Sequence, residues 1–238
     1  MLYENKKVIV CGMARSGISA AKLLASVGAD VTLQDMKPMD VLIKLHDIEA
    51  YKKAGIKIFA GANPDDIIDS FDYAVLSPGV PCDLPFIKKA KSSGVKVISE
   101  VELAYTLTEC PVCAITGTNG KTTTTTLTGM LLNKKYKNTA VVGNIGVAYS
   151  EKVKSLKADD FVCAEISSFQ LETSDTFRPH IAAVLNITPD HLNRHKTMDN
   201  YVAVKEKIFM KQNKDDFTIL NKNDEYCVKM ADKTKGKV

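Results

Sequence analysis

Short apolar runs alternate with longer segments of helical spacing along nearly the whole chain, and this alternation limits the folds open to it. Val8–Gly12, Val31–Asp35, Ile56–Ala60, Ala74–Pro78 and Val95–Ser99 read as buried strands, with helical stretches such as Gly17–Gly28 and Leu84–Ser93 between them. Strand, crossover and strand in repetition predict a parallel sheet flanked by helices. The pattern restarts near Glu109. Val112–Thr116, Ala140–Val142, Phe161–Glu165, Ala182–Ile187 and Phe217–Leu220 read as strands, and Lys121–Lys135 and Met198–Met210 as helices. We therefore expect an α/β chain of two domains, a Rossmann-like parallel-sheet domain over 1–108 and an NTPase-like α/β domain over 109–238.

Several function classes fall away on composition. The net charge is only +4 and the lysines are scattered among acids, so there is no basic stripe for nucleic acid. No apolar run approaches the roughly 18 residues of a membrane span. Lys6-Lys7 runs straight into Val8–Cys11 with no long apolar region, which speaks against a signal peptide. The six cysteines sit singly in apolar runs, as small hydrophobes in a reducing compartment. Cys110-Pro-Val-Cys113 enters a strand rather than a helix N-terminus and is not read as a redox motif. A cytoplasmic monomer is expected.

Ile115-Thr-Gly-Thr-Asn-Gly-Lys-Thr-Thr123 is the strongest local signal. A buried strand runs into a glycine-containing loop and a helix begins at Lys121. Such a junction aims backbone N–H groups and a helix dipole at one point, where phosphates bind. Lys121 would reach the outer phosphates and the Thr122 hydroxyl a magnesium ion. Ile115 stands where the common phosphate-loop pattern has its first glycine, so this loop is a variant. A magnesium–nucleotide site needs a second acidic ligand at the end of a neighbouring strand, and Glu165 ends Phe161–Glu165. Asp190 and His191 follow the next strand and fall on the carboxyl edge of the same sheet, where ligands of open α/β sheets bind. His46, His180 and His195 lack such a context and are read as surface or structural residues.

The N-terminal half contains a second strand–loop–helix junction, Val8–Gly12 followed by Met13-Ala-Arg-Ser-Gly17. It approaches a dinucleotide fingerprint, with Ala14 in place of the middle glycine and Asp35 at the end of the next strand, where a ribose-binding acid belongs. An NAD-binding oxidoreductase domain is the reading this half suggests by itself.

Taken together, five strings resemble the Mur ligases. They are Thr116-Gly-Thr-Asn-Gly-Lys-Thr-Thr123, Gly143-Asn-Ile-Gly146, Glu165-Ile-Ser-Ser-Phe-Gln-Leu-Glu172, Asn186-Ile-Thr-Pro-Asp-His191, and Tyr201-Val-Ala-Val-Lys205 followed by Ile208. Their order and spacing are most similar to the D-glutamate-adding branch, from about Lys7 to the last residue. The resemblance implies an ATP-dependent amide ligase of peptidoglycan precursor synthesis, which phosphorylates the carboxylate of UDP-N-acetylmuramoyl-L-alanine and passes the acyl phosphate to D-glutamate. It implies an ATP loop of Gly117, Thr118, Asn119, Gly120, Lys121, Thr122 and Thr123. It implies two magnesium ions, one held by Thr122 and Glu165, the other by His191 and Lys205, with Lys205 as a carbamate. Lys121, His191 and Lys205 would then be the catalytic residues.

For the UDP-sugar peptide the resemblance implies contacts from Arg15, Ser16 and Gly17 at the diphosphate, from Asp35, Met36 and Lys37 near the uracil, and from Ser77 and Gly79, with Asn144 and Gln170 at the peptide and phosphates. It also implies a further domain for the amino acid, so this chain is expected to bind the UDP-sugar peptide without completing ligation. Another Mur ligase, a folylpolyglutamate synthetase and a silent nucleotide-binding fragment are the remaining alternatives.

Overall fold

The computed structural model describes residues 2–238. Two compact units divide inside the helix Glu100–Thr106, one ending at Ala104 and the other beginning at Tyr105.

The first unit holds a five-stranded, all-parallel sheet of β1 (Lys7–Cys11), β2 (Asp30–Asp35), β3 (Lys57–Ala60), β4 (Tyr73–Leu76) and β5 (Lys96–Ser99), in the order β3-β2-β1-β4-β5. Val8, Ile9, Val10 and Cys11 are fully buried, as a central strand covered on both faces requires. The run Ile56–Ala60 was expected to be a buried strand, but β3 is only half-buried because it forms an open edge. Strand order reverses at β1, so the loops leaving β1 and β4 share the crevice of the switch point.

The second unit repeats the principle with β6 (Val112–Thr116), β7 (Thr139–Gly143), β8 (Phe161–Glu165), β9 (Ile181–Val184) and β10 (Phe217–Leu220). All are parallel, in the order β10-β9-β6-β8-β7. β6 is central and fully buried, with β8 and β9 on either side. That order brings the loops leaving β6, β8 and β9 to one edge. After β10, Lys237 returns to pair in parallel with Phe217 on the outer edge of the sheet.

The helices are shorter than their spacing predicts. The phosphate-loop helix ends at Leu132 rather than Lys135. The helix from Met198 ends at Glu206 rather than Met210, because Lys207, Ile208 and Phe209 bond to Val204, Lys205 and Glu206 in the tighter i→i+3 pattern while Ile208 and Phe209 stay buried. All six cysteines are free thiols and five are buried. Cys113 lies in register with Cys163 of β8, not with Cys110. No described helix is long and apolar enough to cross a membrane.

Candidate active site

Two glycines with positive φ shape the loop leaving β6. Gly117 (φ +147°) passes so close to β9 that a Cβ there would lie 3.0 Å from Leu185 Cβ, and Gly120 (φ +81°) is the left-handed N-cap of the helix Lys121–Leu132. The loop is tied to the exit of β9. Thr118 N–H donates to Asn186 O (2.9 Å) and Asn119 N–H to Asn186 Oδ1 (2.8 Å), while Asn186 Nδ2 donates back to Asn119 O (3.0 Å). The Thr118 hydroxyl accepts from Thr188 N–H at 3.0 Å. Asn186 and Thr188 therefore belong to the site, although only their motif, and no role for them, was legible in the sequence. The signal that could have found them is a short polar side chain placed directly after a buried strand at the switch point.

Glu165 ends β8 beside Ile115 and Gly143, and it is 1% exposed. Its carboxylate accepts from the Thr122 hydroxyl (2.9 Å) and from Asn144 Nδ2 (3.0 Å). Asn144 reaches it because Gly143 (φ +113°) lets the chain turn over Glu165, where a Cβ would come within 2.1 Å of Glu165 O. A threonine hydroxyl and a carboxylate are hard oxygen donors, and magnesium ordinarily takes one or two carboxylates together with waters and nucleotide phosphates. The pair therefore fits such an ion. Among the described residues no three His, Cys, Asp or Glu side chains gather where they could hold a metal ion.

A cavity of about 100 Å³ adjoins this pair, lined by Lys121, Asn144, Ser168, Asp190, His191 and Lys205 among others. Lys205 is 2% exposed, and its Nζ donates to Gly117 O (2.9 Å) and Thr116 Oγ1 (3.3 Å). Burial, reinforced by the Lys121 charge and opposed by Asp190, brings its ammonium pKa down to about 7. Lys121 Nζ donates to Thr118 O at 2.7 Å, within its own loop. His191 has a left-handed backbone (φ +51°) and an exposed ring. The oxygen of the Gln170 side chain accepts from Ser167 N–H (2.9 Å) and the Ser167 hydroxyl, closing a capping box on the helix Ser168–Leu171. Thr123 is exposed on the loop helix. Of the two readings open for His195, surface or structural, the structure gives the second: it is buried beside Ser168.

In the first unit, Gly12 (φ +98°) and Gly17 let the helix Arg15–Ser26 press against β1, where a Cβ on Gly17 would stand 1.9 Å from Gly12 O. Ser77 Oγ donates to Gly12 O at 3.1 Å. The N-cap residue Ala14 makes no side-chain cap bond, and the helix begins at the exposed Arg15 and half-buried Ser16. The Asp35 carboxylate accepts Met13 N–H (2.8 Å) and Lys37 N–H (2.9 Å). Burial pushes its pKa up, but those two backbone donors and the nearby Lys37 charge outweigh it and hold the carboxyl below its ordinary value. Met36, Lys37 and Gly79 are exposed nearby in the same unit.

Residues 115–238 match the family described as Mur ligase middle domain, and residues 6–99 match the Mur ligase MurD-like N-terminal domain. The chain belongs to the Mur ligase family. The match over 6–99 is to a ligase domain, not to an oxidoreductase. The UDP-N-acetylmuramoylalanine--D-glutamate ligase of Clostridioides difficile (strain 630) is 46% identical over all of this chain and 52% of its own length. The enzyme of the same description from Enterococcus hirae is 45% identical over 99% of this chain and 51% of its own. This Mur ligase chain thus spans about half the length of the curated relatives it matches. Among solved structures, a UDP-N-acetylmuramate:L-alanyl-gamma-D-glutamyl-meso-diaminopimelate ligase from Neisseria meningitides shares the fold, with a TM-score of 0.62 at 17% identity over 97% of this chain and 76% of that one. A murein peptide ligase from Psychrobacter arcticus 273-4 gives a TM-score of 0.56 at 17% identity over 98% and 52%.

Proposed function

We propose that these units belong to a cytoplasmic, monomeric, ATP-dependent ligase that joins D-glutamate to UDP-N-acetylmuramoyl-L-alanine in peptidoglycan precursor synthesis. The observation that carries this reading is the meeting, at one sheet edge, of a phosphate loop, an exposed Thr122 bonded to the buried Glu165, and a buried lysine facing that loop. A carboxylate is a poor electrophile at neutral pH, and transfer of the ATP γ-phosphoryl group to it creates a leaving group. The D-glutamate amine then displaces phosphate, forming the amide. Both partners of the first step are anions, so the protein's work is positioning and charge neutralisation.

In this reading the Gly120 N–H, the first N–H groups of the helix that begins at Lys121 and the Lys121 ammonium hold the β- and γ-phosphates, while Gly117, Thr118 and Asn119 shape the loop and Thr123 completes it. Thr122 and Glu165 would hold one magnesium ion and His191 and Lys205 the other. Bound there, the ions supply neutralisation of the developing phosphate charge. Lys205 is placed to carry a carbamate: CO2 adds only to a neutral amine, and a lysine titrating near 7 is in large part neutral at cytoplasmic pH. Asn144 and Gln170 would face the peptide end of the UDP-sugar. In the first unit, the open helix N-terminus with Arg15, Ser16 and Gly17 would take the diphosphate, flanked by Ser77 and Gly79, and the Asp35–Lys37 turn the uracil. This chain alone is expected to bind substrate without turnover.

Calorimetric titration of the chain with UDP-N-acetylmuramoyl-L-alanine, with NAD in a parallel cell, is the test. Saturable binding of the first and silence from the second is the expected result. Binding of NAD alone would overturn the assignment of the first unit. D-glutamate-dependent phosphate release from ATP by this chain would overturn the expectation that it does not turn over.

A further inference from the structure

His191 lines the cavity beside the phosphate loop, yet little on its own segment fixes its ring. Its backbone is left-handed, its side chain is 51% exposed, and Asp190 Oδ2 stands 3.5 Å from its Nε2, too far for a good hydrogen bond. What holds the imidazole is the Phe169 ring, with centroids 4.8 Å apart.

Phe169 is itself held. The Arg194 guanidinium carbon lies 4.1 Å from its centroid, and the His195 ring stacks on it at 5.6 Å and 29°. Arg194 is locked in turn by Glu172: Nε donates to both carboxylate oxygens at 2.9 and 3.2 Å, and a second guanidinium nitrogen bonds Oε2. These side chains are only 17% and 12% exposed. His195 fastens the same group from below, with Nε2 3.0 Å from Ser168 Oγ and Nδ1 3.6 Å from Glu172 Oε1. A largely buried ion pair is no more stabilising than well-packed apolar side chains of the same volume, so its presence here calls for a reason other than stability. A bidentate arginine has a fixed plane, and a fixed plane orients an aromatic ring.

We propose that Arg194 is a positioning residue for His191: locked by Glu172, its guanidinium fixes the Phe169 ring, and that ring fixes the direction in which the His191 imidazole faces the cavity. The consequence for a divalent cation rests on the function proposed above, in which His191 is a ligand. Groups that orient a metal ligand are commonly worth ~10–100-fold in metal affinity.

The test uses the 238-residue chain with Arg194→Met, Phe169→Leu and Phe169→Tyr. Arg194→Met leaves the Glu172 charge buried and can fail to fold; Phe169→Leu keeps the ion pair intact and stands in for it. Two quantities are read: the His191 imidazole resonances in metal-free protein, and Mn2+ affinity by electron paramagnetic resonance with ATP present. We expect the folded Leu and Met variants to lose the ring-current shift of His191 and to bind Mn2+ about 10-fold more weakly. Phe169→Tyr should keep both. Unchanged His191 resonances in a folded Arg194→Met chain, or unchanged Mn2+ affinity in a folded Phe169→Leu chain, would overturn the positioning role. If Mn2+ leaves the wild-type His191 resonances unperturbed, the ligand assignment fails, while the ring-shift result still decides the clamp.

Discussion

The two strand–loop–helix junctions of this chain, Gly12–Gly17 and Gly117–Lys121, occupy the same place in two parallel sheets but are built differently. The first is closed by close backbone approach, with Gly17 against Gly12 O, and tied by Asp35 at the end of β2 and Ser77 just after β4. It lies at a helix N-terminus and, among the described residues, has no buried lysine or arginine beside it. The second is close-packed at Gly117, 3.0 Å from Leu185 Cβ, but open at Gly120, where a Cβ meets nothing nearer than Leu185 Cδ1 at 3.8 Å, and it is tied by Asn186 and Thr188 just after β9. It gathers Lys121, Lys205 and Glu165 around itself. A junction that only has to recognise a diphosphate is served by fixed neutral donors. One where charge develops during phosphoryl transfer needs ionic groups that can rearrange. On the function proposed above, the difference between the two loops is a difference between holding phosphate and moving it.

The largest effect separating them should come from Gly17→Ala. Its Cβ would have to displace backbone, so we expect a loss of about 3 kcal/mol or more in the first unit, read by urea denaturation. Gly120→Ala meets no such atom and pays only for a left-handed φ, about 1–2 kcal/mol. Equal losses at the two positions would break the contrast. Next comes Lys121→Ala. Loss of a charge-assisted bond of ~1.5–3 kcal/mol should weaken ATP binding to this chain by about 10- to 100-fold, with binding of the UDP-sugar peptide unchanged. A matched loss of both ligands would mean that the loops do not divide the phosphates as argued.

Much of this contrast was legible in the sequence. Strand positions follow from apolar runs a buried parallel sheet requires, and both glycine loops from their place after a strand. What stayed hidden depends on register between segments distant in the chain. Asn186 reads as a polar residue after a strand until β9 is laid against β6, and only then do its amide bonds to Asn119 appear. His195 carried no signal because its partners, Ser168 and Glu172, come from a different helix and turn. Asp35 shows the reverse case: its spacing suggested a ribose-binding acid, and the structure adds what spacing does not show, that its oxygens hold Met13 and Lys37 N–H.

That use of Asp35 yields the smallest effect and the finest probe of the comparison, because the first loop is tied by an ionisable carboxylate and the second by an amide. The folded-state pKa of Asp35 lies below its ordinary value, since the Lys37 and Met13 N–H bonds outweigh the burial that would raise it. A group depressed in this way adds stability above the unfolded carboxyl pKa of about 3.9, and that contribution is lost as pH falls through the lower folded value. Asp35→Asn should therefore be less stable than wild type at pH 6, with the gap closing as pH drops below about 4. Asp35 is partly solvated, so the effect should be smaller than that of Gly120→Ala. Asn186→Ala in the second unit removes only neutral hydrogen bonds, and its effect should not change over the same pH range. Denaturation of both variants from pH 6 to 3 decides it: a gap that narrows for Asp35→Asn and stays flat for Asn186→Ala places acid sensitivity in the recognising loop, and parallel curves would remove Asp35 as its electrostatic tie.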